Sequence, residues 1–536
     1  MRAKARPADR TAARSARATS RGAAALSRVN AILRAALLLA AGAFTLQFLW
    51  IALHRIGYPF ELEWLEGDTF HHALRIREGL SWYPKPSLDF FPEIYPPGYT
   101  AVCGLLMVVF GPSLALMRWV SVLSTLGTVA LLAALVKRHG GSWTAGCIAG
   151  GLFLATFAAC GSWFDLARVD MLAMLCSVLG VYLADRSSSG GRFYLGIAAL
   201  VFGVLVKQGQ FAFLVGTLAV WTAWNWRRAL LGLLLATALL GGSIAALELW
   251  GGGWFWFYCY RLPAAFSARV PEIATAKGVE FFTHWLPGTF GLGALAIGCA
   301  YGRRSLRSLA LLLVPAAAFV SFTGWRQVGG YANNGIPLAA FLSLAIGIGL
   351  ARLAQSPPKL GVLAALAMAM LIGQFFLLRY DPSSQVPADE DARYGMAVVQ
   401  RVRALPQPVL APYDPYLLWL AGRPMNMQFW MFHEYMMTKE LVGGIDAGGL
   451  EEDVIRSVAH RHWGSYIGME TEGGPMQTPV DDLVGREYTP AGRLLPADDN
   501  RTLFPLTGNP VRPGPVLLPA RLDARHHPDL QGYRFP

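Results

Sequence analysis

Tyr99-Thr100-Ala101-Val102-Cys103-Gly104-Leu105-Leu106-Met107-Val108-Val109-Phe110 is an apolar run of a dozen residues. Whether it crosses a bilayer decides the topology of everything after it. A spanning helix needs about 20 apolar residues, so this run suits an interfacial or re-entrant helix better. Charge gives an independent test, because cytoplasmic loops are enriched in Lys and Arg. Place the N-terminus inside and let 99–110 not cross. The inside loops then hold Lys137-Arg138-His139, Asp185-Arg186 to Arg192, Arg227-Arg228, Arg303-Arg304 with Arg307, and Arg352 to Lys359. All are basic or mostly basic. If 99–110 crossed, every one would face outside.

Working outward, the candidate spans are 31–53, 115–136, 144–161, 168–185, 193–207, 209–225, 229–250, 286–301, 307–323, 335–353 and 360–379. The expected fold is an α-helical polytopic membrane protein with about eleven spans plus juxtamembrane helices. Its outer segments are 54–98, 162–167, the Lys207–Gln210 turn, 251–285, 324–334 and everything after Tyr380. The expected domains are a disordered basic cytoplasmic tail (1–30), a membrane domain (31–379) and an extracytoplasmic α/β domain (380–536). In the last, Asp391–Leu405 and Glu451–Arg461 read as helices. Residues 408–411 and 465–468 read as strands. From about Arg493 the chain is Pro-rich and expected to be extended.

Composition agrees. Charged residues are 15% of the chain and apolar ones 54%, whereas soluble domains carry about a quarter charged residues. The net charge of +12 does not mark a nucleic-acid binder. Much of the surplus is Arg2, Lys4, Arg6, Arg10, Arg14, Arg17, Arg21 and Arg28, and the rest lies in short loops, where it acts as a topology signal. The apolar run 31–53 is too long for the core of a signal peptide. Most of the six cysteines lie inside apolar segments and no pair has metal-ligand spacing, so they read as small packing residues.

The first outer loop carries Glu61, Glu63, Glu66 and Asp68, four carboxylates within eight residues. They are interleaved with Phe60, Trp64 and Phe70, and Trp82 and Tyr83 follow. A charge run is usually a solvated face. Aromatics mixed with carboxylates beside a bilayer fit a sugar-binding cleft better. An enzyme working outside the cytoplasm needs a sugar donor carried there by lipid. A polyprenyl phosphate leaves as a stable anion, so the chemistry needs one base for the acceptor hydroxyl and a cation for the phosphate. Glycosidases need two carboxylates because a sugar alkoxide leaves poorly.

Asp165 and Arg168, three apart, read equally as site residues or as an ion pair stapling the bundle. Asp170 reads as structural. Lys207 is a snorkelling lysine or a phosphate ligand at the depth of the acidic loop. The turn 325–335 offers Arg326 as a second phosphate ligand, Tyr331, and the amides of Asn333 and Asn334; the plain alternative is a helix-capping turn. Asp68 and His72 share a helical face and could hold a divalent ion, but no third ligand is evident, so no metal or cofactor is expected.

Taken in order, several motifs resemble one group. They are Glu61-Leu62-Glu63-Trp64-Leu65-Glu66-Gly67, Leu88-Asp89-Phe90 with Ile94-Tyr95-Pro96-Pro97, and Phe164-Asp165-Leu166-Ala167-Arg168-Val169-Asp170. Lys207-Gln208, Gly329-Gly330-Tyr331-Ala332-Asn333, Pro412-Tyr413-Asp414-Pro415-Tyr416 and Leu420-Ala421-Gly422-Arg423-Pro424 follow. The set resembles bacterial membrane glycosyltransferases of the GT-C superfamily, near glycosyltransferase family 39. The resemblance implies a catalytic carboxylate in a large first outer loop, a polyprenyl-phosphate sugar donor, inversion at the anomeric carbon and no bound metal. Many members show Asp-Glu-Gly where this chain has Leu65-Glu66-Gly67, which leaves Glu66 as the base, with Asp68 and Glu63 as alternates. The expectation is therefore an inverting transferase at the outer face of a bacterial inner membrane. Glu66, Asp68 and Asp165 are its catalytic residues; Glu63, Arg168, Lys207, Arg326, Tyr331 and Asn333 bind substrate. Its acceptor is a glycan, lipid or protein of the envelope. A lipid-linked sugar flippase and a non-catalytic assembly factor are the competing readings.

Overall fold

The computed structural model describes residues 7–185, 190–267, 271–285, 308–327, 329–355, 360–442, 447–471, 474–475, 480–495 and 503–520. Helix α1 (Pro7–Ile56) takes in most of the stretch expected to be a disordered tail. That stretch is Ala- and Arg-rich, with its proline at the first helical position, so local propensity favours a helix there. Among the described residues, four stretches suffice by length and composition to cross a membrane: Ala24–Ile56, Leu114–Arg138, Gln208–Trp250 and Ala332–Ala354. Shorter apolar helices pack among them: α3 (Gly98–Phe110), α5 (Trp143–Ala155), α6 (Asp170–Ala184) and α7 (Gly190–Val206), with Leu309–Trp325 and Gly361–Leu377 further on. Helix α4 is Leu114–Arg138 and α8 is Phe211–Trp250. The expected spans 209–225 and 229–250 are two helices within Phe211–Trp250: the chain leaves helical geometry at Asn225 (φ −159°, ψ 90°), whose Oδ1 accepts the Arg228 N–H at 3.1 Å and starts the second, and Gly232 comes back against Leu218. The expected span 286–301 lies outside the described residues.

The deciding run is α3. Thirteen residues make about 20 Å of helix, short of the roughly 30 Å hydrocarbon core. Tyr99, Cys103 and Met107 form its buried stripe, four residues apart. Leu105, Val108, Val109 and Phe110 are exposed. Its buried side packs on α2 (Glu66–Arg77), which lies in the first outer loop and is buried along most of its length.

The loops sort into two groups. His139 Nε2 is 2.7 Å from Asp185 Oδ2, the Leu309 N–H donates to Asp185 Oδ1 at 2.8 Å, and Gln355 bonds the Gly140 carbonyl. These are the basic loops expected on one side. The acidic first loop, the turn after α5, the turn after α7 and the turn at 324–334 meet the C-terminal domain instead.

That domain holds a sheet ordered β1 (Val409–Leu410), β2 (Ser465–Thr471), β5 (Val511–Pro519), β4 (Tyr488–Arg493), with β3 (Gly474–Pro475) paired to β2. β1 and β2 run parallel and β5 is antiparallel to both neighbours. The helices Asp389–Ala404 and Leu450–Ala459 and strands β1 and β2 lie where the sequence placed them. β5 falls in the stretch expected only to be extended. It is a central strand despite Pro513 and Pro515, and the register shifts on both sides of it, between Ile467 and Met469 and between Pro490 and Gly492. Bulges let a strand whose interior lacks two N–H donors, with a third proline, Pro519, at its end, sit inside a sheet. The domain docks on the first loop: Thr507 pairs with Glu63 in a parallel bridge, and its Oγ1 donates to the Gly161 carbonyl at 2.6 Å.

Candidate active site

A cavity of about 520 Å³ opens where these outer turns and the C-terminal domain converge. That size suits a small ligand or headgroup. Its lining carries the acids Glu63, Glu93, Asp170 and Glu434, the cations Arg168, Lys207 and Lys277, and the aromatics Trp64, Tyr95, Trp163, Tyr260, Tyr331 and Trp430. Met174, Leu262, Val320 and Ile336 make it apolar in part.

Arg168 organises one wall. It sits in the turn before α6, where the backbone from Thr156 to Val169 is a run of turns and bends, with Ser162 at φ 60°. Helical i,i+3 spacing does not hold there, so Arg168 does not pair with Asp165. Its Nε lies 3.4 Å from Glu63 Oε2, and its Nη1 reaches Glu93, the Leu65 carbonyl at 3.0 Å and Thr69 Oγ1 at 3.0 Å. Lys207, released from α7 into the turn, donates to Asp170 Oδ1 at 2.6 Å and to Asn334 Oδ1 at 3.4 Å. Asn333 Nδ2 donates to the same Asp170 oxygen at 3.1 Å. Both cations lie over the Tyr95 ring, 5.9 and 5.7 Å from its centre. Tyr331 closes an edge, its ring 5.2 Å from Trp163 and its hydroxyl 3.2 Å from Thr507 Oγ1.

Glu63 is buried, and among the described residues its Oε1 has no hydrogen-bond partner. Burial pushes its carboxyl up to about 8, with Arg168 opposing. Burial likewise raises Glu93, again against Arg168. Gly508, at φ +85°, lies over Glu63 and Trp64; a Cβ there would come within 2.5 Å of the indole.

Of the residues singled out from the sequence, Glu63, Arg168, Lys207, Tyr331 and Asn333 line this cavity, and Glu66, Asp68, Asp165 and Arg326 do not. Glu66 lies behind the wall with all its bonding capacity taken. Oε1 accepts from Arg118 Nε at 3.0 Å and the Ala167 N–H at 2.7 Å; Oε2 accepts from Arg118 Nη2 at 2.6 Å and the Leu62 N–H at 2.7 Å. Burial alone would raise its carboxyl, but the Arg118 charge and these bonds hold it below the usual range. Asp165 Oδ2 is 3.2 Å from Arg55 Nε, both side chains fully buried. Arg326 is exposed. Asp68 is buried in α2 with neither oxygen hydrogen-bonded among the described residues, and burial beside Glu93 pushes it well up. His72 packs its ring on Tyr83 and Phe90, and no group of three metal-ligating side chains forms among the described residues.

Sequence reasoning passed over Glu93, Tyr95, Asp170, Lys277, Trp430 and Glu434. Tyr95 stood in the Ile94-Tyr95-Pro96-Pro97 motif and Glu93 just before it. Asp170 was taken as structural although it is the partner of Lys207. Trp430 and Glu434 lie over 200 residues downstream of Lys207, with no local pattern to join them.

No protein-family model matches the chain, and no curated protein matches it by sequence. Solved structures do match in shape. ArnT from Cupriavidus metallidurans bound to undecaprenyl phosphate aligns over 90% of this chain and 99% of its own, at 13% identity and a TM-score of 0.51. The apo state of that protein aligns over 89% and 98%, at 13% identity and a TM-score of 0.52. An oligosaccharyltransferase from Archaeoglobus fulgidus aligns over 73% and 62%, at 13% identity and a TM-score of 0.45. The likeness to ArnT shows the fold: a bundle of apolar helices followed by a small C-terminal α/β domain.

Proposed function

We propose that this chain is a glycosyltransferase that moves a sugar from a polyprenyl-phosphate carrier to an acceptor hydroxyl in the cavity, at the outer face of a bacterial inner membrane. The observation that carries the reading is the wall in which Lys207 and Arg168 lie over Tyr95 while the Glu63 carboxylate faces the same cavity. Its ArnT neighbour holds undecaprenyl phosphate in the same fold.

The hydrogen bonding favours Glu63 over Glu66 as the base. Glu66 would have to give up four hydrogen bonds before accepting a proton; Glu63 has an oxygen to spare. A base near the working pH is the efficient choice. Glu63 takes the acceptor O–H proton as that oxygen attacks the anomeric carbon. The bond from that carbon to the phosphate oxygen breaks with its electron pair, and the anionic carrier phosphate leaves against Lys207. Attack from the side opposite the phosphate inverts the centre. Lys207, now shared between Asp170 and Asn334, would trade part of that contact for the phosphate. Lys277 takes the place given to Arg326 as a further cation on the lining.

The test is transfer of radiolabelled sugar from membrane-extracted polyprenyl-phosphate donors by the purified full chain in nanodiscs, with undecaprenyl phosphate binding measured in parallel. Carrier release that depends on Glu63 and Lys207 supports the reading. Carrier bound but translocated without loss of its sugar would make the protein a flippase.

A further inference from the structure

We infer that Trp430 and Glu434 form the acceptor subsite of the cavity and that it takes an uncharged saccharide, not a phosphorylated or otherwise anionic headgroup. The inference rests on the transfer reading above and names the acceptor class that reading leaves open.

The lining is chemically divided by origin. Its cations, Arg168, Lys207 and Lys277, all come from the chain before the C-terminal domain. The C-terminal domain contributes Trp430, Met431, Glu434, Gly508 and Asn509. Trp430 and Glu434 are four apart on the helix Phe429–Val442 and therefore share a face. The Trp64 ring meets Trp430 at 78° with centroids 4.2 Å apart, which fixes the indole plane. Trp430 Nε1 donates to Glu434 Oε1 at 3.1 Å, which fixes the carboxyl beside it.

An indole with a carboxyl at its edge, and an amide on the same lining, is the chemistry of sugar recognition. Beside the His433 ring stacked on it at 5.4 Å, the part of the indole that lines the cavity meets the C–H groups of a pyranose, and the carboxyl and amide take its hydroxyls. The same carboxylate repels a phosphate in a site of low dielectric. Burial holds Glu434 up near 7, so it answers to pH in the physiological range. The C-terminal side of the lining thus supplies a carboxyl and no cation, while all three cations, together with Glu63, Glu93 and Asp170, come from the rest of the chain.

The experiment uses the full chain in nanodiscs and reads binding by saturation-transfer NMR. The probes are methyl α-D-glucopyranoside, methyl α-D-mannopyranoside, methyl β-D-galactopyranoside and glucose 1-phosphate, each titrated with undecaprenyl phosphate saturating so that the donor wall is filled, and undecaprenyl phosphate alone. At least one methyl glycoside should bind about tenfold more tightly than glucose 1-phosphate. Trp430→Ala should weaken that glycoside about fivefold, Trp430→Phe less, and neither should alter undecaprenyl phosphate binding. Glu434→Gln should narrow the preference against glucose 1-phosphate. Equal or tighter binding of glucose 1-phosphate, no glycoside binding, or unchanged glycoside affinity in Trp430→Ala overturns the inference. Failure of the unmodified protein to bind undecaprenyl phosphate would instead defeat the transfer reading.

Discussion

Glu66 and Arg118 face each other through two hydrogen bonds, of 3.0 and 2.6 Å, with both side chains fully buried. Arg118 also donates to the carbonyls of Arg55, Tyr58 and Phe60, so this ion pair ties the first outer loop to α4 and to the end of α1. Removing one partner of such a pair strands the other and costs about 3–5 kcal/mol. Glu66→Gln and Arg118→Met should therefore lower thermal stability in detergent and reduce the yield of folded protein. A Glu66→Gln protein as stable as the unmodified one, yet inactive, would return Glu66 to the role of base.

Glu63 should behave in the opposite way. Glu63→Gln keeps the side-chain volume and should fold, while transfer falls by at least about a hundredfold. The base must be deprotonated to act, and burial places Glu63 at about 8, so single-turnover transfer should rise from pH 7 to 9 and level off above. The unmodified protein's rate is compared across that range with binding of undecaprenyl phosphate measured alongside. A flat profile with donor bound throughout would exclude Glu63.

Lys207→Met removes the cation but leaves Asp170 buried beside an apolar chain. A charge-assisted bond is worth about 1.5–3 kcal/mol, so undecaprenyl phosphate should bind roughly 10- to 150-fold more weakly. Asp170→Asn should tighten it instead, since Lys207 then turns wholly to the phosphate and a neighbouring negative charge is gone. Arg326→Ala should leave it unchanged, because Arg326 is exposed and off the cavity. Equal affinity in Lys207→Met and the unmodified protein would move the phosphate elsewhere.

These contrasts show what the sequence could carry. Which turns gather together was legible, because the basic loops sort the remaining segments into one group, and Glu63, Arg168, Lys207, Tyr331 and Asn333 of that group line one cavity. The choice among Glu61, Glu63, Glu66 and Asp68 was not legible. It turns on Arg118, an ordinary-looking residue one turn into an apolar helix, and on N–H donors from Leu62 and Ala167. Partner choice for Arg168 failed similarly, because an i,i+3 argument assumes a helix where the chain makes turns. Trp430 and Glu434 needed the docking of a domain whose central strand, β5, carries prolines that disguise it.

His71 and His72 give an acid-stability prediction. Burial, with Arg75 adding to it, lowers both to about 3. The folded protein then holds fewer protons than the unfolded chain between pH 6.5 and 3, so stability is lost as pH falls through that window. The loss is about 1.4 kcal/mol per unit for each histidine. His72→Phe keeps a ring against Tyr83 and Phe90 and should flatten the decline in thermal midpoint between pH 6.5 and 4. An unchanged slope would mean that other groups set the acid limit.

Gly67 joins the acidic loop to the C-terminal domain. Its N–H donates to Glu61 Oε1 at 2.6 Å, and a Cβ at this position would lie 2.6 Å from Tyr416 Cβ and 2.7 Å from that same Glu61 oxygen. Neither neighbour can yield cheaply: Tyr416 packs against Phe70 and Trp419, and the half-buried Glu61 is held by the Gly67 N–H itself. Gly67→Ala must therefore push the helix Pro415–Leu420 off α2. The cost of such overpacking is about 1–3 kcal/mol, and it falls on the docking of the domain that brings Trp430 to the cavity. The variant should lose thermal stability and expose the C-terminal domain to limited proteolysis, with transfer falling more than undecaprenyl phosphate binding. If Gly67→Ala matched the unmodified protein in protease resistance, the contact between α2 and the C-terminal domain would have to be looser than these distances make it, and the acceptor wall could not be held by it.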